Sequence, residues 1–111
     1  MKVVVDLAPF LDRERQGMRV WRRALNQVLA ERAPDEAPGI PSSGESLLES
    51  VNAFAASLPA SHPLRVARED IVEYVRTHPD AESFRAILGV SDAWLDQLFR
   101  DAMALEASDN S

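Results

Sequence analysis

Apolar side chains recur along most of this chain at helical spacing, and the gaps between these stretches are marked by proline and glycine. Leu11, Met18, Trp21, Leu25, Val28 and Leu29 follow one another at intervals of mostly three, four or seven and predict a first helix over 10–32. Arg15, Arg19, Arg22 and Asn26 keep a similar spacing on another face, and Gly17 is positioned to bend or divide the helix. Leu47, Val51, Phe54, Ala55 and Leu58 define a second helix, opened by a capping box of Ser46 and Glu49. Leu64, Ala67, Ile71, Tyr74 and Val75 predict a third over about 64–77. A short helix follows over about 81–88, with Asp80 as its expected cap. A last one spans about 92–106, capped by Ser91, with Trp94 or Leu95, and Leu98, Phe99, Ala102 and Leu105, inward. KVVVDL at 2–7 is rich in valine and has the composition of one short strand.

The breaks are as regular as the helices. Residues 33–45, APDEAPGIPSSGE, hold three prolines and two glycines and form a loop long enough to move or to cross the molecule. SHP at 61–63 and THP at 77–79 read as helix-start punctuation, and ASDNS at 107–111 as a frayed tail. The expected fold is therefore all-α, a single domain over 1–111 with about five helices, a helical core over 46–106 and a possible N-terminal strand.

Composition narrows the chemistry. The chain of 111 residues is 46% hydrophobic and 27% charged, so it can bury a core of its own. It has no cysteine, which removes disulfides, thiolate metal ligands and cysteine nucleophiles and fits a reducing compartment. No apolar run reaches the roughly 18 residues of a membrane helix, and the N-terminus lacks the pattern of a signal peptide. A cytoplasmic location without membrane contact is expected. His62 and His78 each precede a proline and do not stand at metal-ligand spacing. There is no glycine-rich phosphate loop and no nucleophile motif. No enzyme activity, metal or cofactor is expected.

Charge is uneven. Residues 1–34 carry seven basic groups against four acidic, residues 35–111 five against fourteen, and the whole chain has a net charge of −6. An acidic surface repels phosphate, so nucleic acid is an unexpected partner. The halves either attract each other or meet charged proteins. Arg15, Arg19 and Arg22, with Trp21, form the candidate partner-binding face, beside the ordinary readings of a solvated arginine face partnered by Asp12 and Glu14 and of core packing for Trp21 and Trp94 on their apolar stripes. A homodimer through Met18, Trp21, Leu25 and Val28 is possible if that stripe is uncovered.

SFRAILGVSDAWLDQLFR, residues 83–100, resembles the helix-turn-helix of AraC-like bacterial regulators. Phe84 and Leu88 match the inward positions of the first helix, Gly89 the turn, Val90 the plug behind it, and Leu95 and Leu98 the inward face of the second. With the helix at 64–77, the resemblance implies a tri-helical unit over 64–106. Two positions depart from the family. Arg85 stands where a small residue is usual, and Asp92, Asp96 and Asp101 are expected on the outward face, where DNA would lie. DNA binding through 81–106, with Gln97 and Arg100 as reading residues, is therefore the alternative. The first expectation is a non-catalytic regulator acting by protein–protein contact. SGESLL at 43–48 is also similar to the phosphopantetheine site of acyl carrier proteins, with Glu45 in place of the usual aspartate.

Overall fold

The computed structural model describes residues 13–109. Residues 13–16 are helical. Strand β1 (Arg19–Trp21) runs directly into helix α1 (Arg22–Ala30). A 3-10 turn (Pro34–Glu36), helix α2 (Leu47–Ala56) and helix α3 (Pro63–Glu69) come next. Strand β2 (Glu73–Val75), helix α4 (Pro79–Leu88) and helix α5 (Asp92–Asp109) complete the described residues. The fold is mostly helical, but the two strands pair antiparallel, which corrects the all-α expectation. The strand expected at 2–7 lies outside the described residues.

Two expected helices are each divided. The helix over 10–32 stops where Gly17 and Met18 donate to the carbonyls of Glu14 and Arg15 at 3.1 and 3.0 Å. Beyond that turn Val20 points into the core and Arg19 and Trp21 point out, the alternation of a strand. The helix over 64–77 ends at Glu69, and Glu73–Val75 turns extended against β1. Valine, tyrosine and tryptophan fit a pleated surface well, and once the two short segments face each other their backbone groups satisfy one another. Arg19 lies opposite Val75, Val20 opposite Tyr74, and Trp21 opposite Glu73. The link extends at both ends: Arg22 N–H donates to Val72 O at 2.7 Å, and Arg76 N–H to Met18 O at 3.0 Å.

The core lies between α1, α2 and α5. Leu25, Val28 and Leu29 of α1 meet Leu47 and Val51 of α2 and Leu95, Leu98 and Ala102 of α5, all of them buried. Helix α5 packs chiefly on α1 and on β1. The loop over 33–45 crosses the molecule and buries Ala37 and Ile40. Its Gly39 lies flat on the end of α4, where Gly39 N–H donates to Leu88 O at 2.8 Å. A Cβ on Gly39 would stand 2.1 Å from Ile87 O, so no larger residue fits there without displacing backbone.

The start of each helix has a local cause. Ser46 and Glu49 form the expected capping box. Ser91 Oγ accepts from Trp94 N–H at 3.1 Å, as expected. At the two His-Pro steps the cap is the histidine: His62 Nδ1 accepts from Leu64 N–H at 3.1 Å, and His78 Nδ1 from Asp80 N–H at 3.0 Å. His78 thus takes the role expected of Asp80, and proline, which has no N–H to satisfy, fills the first helical position. Helix α5 continues to Asp109, into the 107–111 segment expected to fray.

Candidate functional site

The turn between α4 and α5 carries the expected packing. Gly89 adopts a left-handed backbone with φ 70°, and Val90 and Leu88 are buried. Gly89 and Val90 N–H both return to Arg85 O, at 3.0 and 3.3 Å, which closes the end of α4. Arg85 occupies its unusual position by reaching over the turn, where Nη1 donates to Val90 O at 2.8 Å. The tri-helical unit over 64–106 is altered, because its first helix is cut to Pro63–Glu69 and followed by β2.

The face of α5 expected to turn outward is partly closed. Asp96 is only 2% exposed. Its carboxylate accepts Arg15 Nε and Nη2, the latter at 2.8 Å, and Arg76 Nε, also at 2.8 Å. Arg76, itself buried, also reaches Asp92 at 3.0 Å. Burial pushes the Asp96 carboxyl up, but the hydrogen bonds and charges of Arg15 and Arg76 outweigh it and hold the group below the usual aspartate range. Asp101 binds Arg32 at 2.6 Å. Arg100 pairs with Glu14 at 2.6 Å, which lowers the Glu14 carboxyl, and exposed Gln97 donates to Asp101 at 2.9 Å. The two residues assigned to DNA reading are thus each held by a carboxylate. The basic N-terminal segment and the acidic C-terminal helix attract each other within one chain.

The expected arginine face divides for the same reason that its helix does. Arg15 is held on Asp96. Arg22 Nη1 donates to the carbonyls of Arg68 and Glu69 at 3.1 and 2.9 Å, closing the C-terminus of α3. Arg19 stays on the surface beside Glu73, 3.6 Å away. Met18, Leu25 and Val28 are buried within the chain, so the homodimer stripe is already covered.

Trp21 alone of that stripe faces solvent. It is 54% exposed, and Val72, at the entry to β2, is 55% exposed. The alternation of β1 sends Val20 inward and so turns Trp21 outward. The Trp21 N–H donates to Glu106 of α5, and the Arg22 N–H donates to Val72 O, so the backbone under the ring is fixed. Trp21, Val72, Arg22, Arg23 and Asn26 line one shallow depression. Trp94, by contrast, is half-buried. Its Nε1 donates to Glu36 at 3.2 Å, and the Arg32 guanidinium lies 5.7 Å from its ring centre.

Nothing in the sequence singles out Val72, which falls within the continuous helix expected over 64–77. Ser46, in the stretch similar to carrier proteins, is occupied as a helix cap. Among the described residues no His, Asp or Glu cluster is arranged to hold a metal ion. Nor is any helix there long and apolar enough to cross a membrane.

No known family, curated protein or solved structure matches this chain. The residues themselves carry the functional argument.

Proposed function

We propose that the protein is a non-catalytic regulatory module that docks a partner protein on the face formed by Trp21 and Val72. The observation that supports this reading is the exposure of Trp21 on a backbone held by hydrogen bonds. Fully burying a tryptophan removes roughly 150–250 Å² from water, about half of which remains to be buried at the 54%-exposed Trp21, and a rigid aromatic loses little conformational freedom on docking. Tryptophan and arginine dominate the binding energy of protein interfaces. Arg19 shares the outward side of β1 with Trp21, and Arg22 and Arg23 line the same depression as the ring. A cytoplasmic location is part of this proposal, and the cysteine-free composition, which fits a reducing compartment, supports it.

The test is affinity purification of the tagged chain from its native host, with wild type, Trp21→Ala and Trp94→Phe compared. A stoichiometric partner should accompany wild type and Trp94→Phe and be lost with Trp21→Ala. Light scattering of the pure chain settles whether the partner is a second copy. A partner retained by Trp21→Ala would overturn the reading.

A further inference from the structure

Arg68 is a buried cation without an anion. Only 9% of it is exposed, yet it makes no ion pair among the described residues. Its hydrogen-bond acceptors are neutral: Asn52 Oδ1 at 3.1 Å from Nε, the Tyr74 hydroxyl at 3.4 Å from Nη1, and Asn26 Oδ1 on Nη2. A guanidinium has five N–H groups, so three bonds leave two donors over. Burial draws the Arg68 guanidinium below its ordinary value, the direction expected when nothing negative offsets the lost hydration. The other buried arginine among the described residues, Arg76, sits on the carboxylates of Asp92 and Asp96.

Arg68 also lines a cavity of about 160 Å³ between α3, β2 and α4. The rest of the lining is mainly apolar, with Leu25, Ile71, Phe84 and Phe99 among its walls. The Tyr74 hydroxyl donates to Ala67 O at 2.6 Å, so its oxygen faces Arg68 as an acceptor. Glu73, His78 and Asp80 also belong to the lining, and their side chains are 40%, 56% and 42% exposed. The cavity therefore has negative groups at its solvent side, apolar walls, and one uncompensated positive group within.

We propose that this cavity binds a small organic carboxylate, with its head group on Arg68 and an apolar body against Phe84 and Phe99. The carboxylate supplies the missing anion and takes the two remaining N–H donors, in the paired geometry that guanidinium favours. Glu73, paired with Arg19, and Asp80 make the exposed rim unfavourable for an anion, so the head group belongs on Arg68 and not at the mouth. The volume sets the size of the body, since an apolar cavity of about 150 Å³ holds one benzene ring. Benzoate and branched acids of five or six carbons are the matching class. The site is separate from the Trp21 face, and its test does not depend on that reading.

The experiment titrates the purified chain with benzoate, 4-methylpentanoate and hexanoate, each against its neutral amide, followed by nuclear magnetic resonance. At least one acid should give saturable shifts centred on Tyr74, Ala81 and Phe84, and bind roughly tenfold or more tightly than its amide. Arg68→Gln should abolish the preference for acid over amide. Ala81 of α4 also lines the cavity, and Ala81→Leu, which fills it and leaves Arg68 in place, should weaken binding of the same acid while the chain stays folded. The second variant keeps the test decisive if Arg68→Gln does not fold. No saturable shift from any of the three acids up to about 10 mM, equal binding of acid and amide, or unchanged binding by Ala81→Leu would overturn the proposal.

Discussion

Removing the Asp96 carboxylate should cost this protein a large part of its stability. Asp96→Ala leaves Arg76, 5% exposed, with Asp92 alone, and leaves Arg15 without its two-pronged partner. Deleting one member of a buried ion pair costs about 3–5 kcal/mol, mostly because the other charge stays desolvated. Asp92 still reaches Arg76 at 3.0 Å, so the lower end applies, about 3 kcal/mol. Domains of this size are stable by about 5–15 kcal/mol, and a 3 kcal/mol loss lowers the melting temperature by roughly 10–20 °C. Urea unfolding followed by circular dichroism measures the loss directly, provided the slope is unchanged. Arg100→Ala, which breaks the exposed pair with Glu14, should barely move the midpoint and serves as the control. The pH dependence gives a second reading. The folded pKa of Asp96 is depressed, so its contribution is complete above the ordinary aspartate range and disappears as the pH falls through the lowered value. The gap between wild type and Asp96→Asn should therefore be widest near neutrality and close in acid. A loss under about 1 kcal/mol at neutral pH, or a gap that does not close, would refute the buried clamp.

Gly39→Ala should destabilise the fold by about 1–3 kcal/mol in the same urea assay, because its methyl would meet the backbone of Ile87 and Leu88. Gly89→Val, at φ 70°, should cost more than about 1 kcal/mol, read as a lowered melting temperature. Ser46→Ala removes a helix cap and should cost about 1 kcal/mol. Trp21→Ala should stay within about 1 kcal/mol of wild type, since the ring is more than half exposed, and a larger loss would make it a structural residue.

The elements that could be read from the sequence are those whose causes are local. The capping pair of Ser46 and Glu49, the His-Pro steps, Gly89 and the stripe from Leu95 to Ala102 all act within one or two helical turns. The sheet could not be read this way. Arg19, Val20 and Trp21 alternate over too few residues to outweigh the helical spacing on either side, and their pairing partner begins at Glu73. Asp96 shows the same limit. A polar residue on a helix is taken to face water unless its partners are known, and those partners, Arg15 and Arg76, lie 81 and 20 residues away. For the candidate site, Trp21 and Arg19 are candidates from the chain alone, but the apolar stripe that carries Trp21 points to the core, and its exposure follows only from the strand. Val72 and Arg68 could not be picked out, because the exposure of one and the isolation of the other depend on the whole fold.

The docking face is tested most directly by hydrogen–deuterium exchange of the chain with and without the partner that co-purifies with it. The account predicts that protection on binding concentrates at residues 19–23 and 71–75, the two segments that carry Trp21 and Val72. Protection confined to other surfaces, such as the exposed positions of α5 or the loop over 33–45, with no change at Trp21 or Val72, would contradict it.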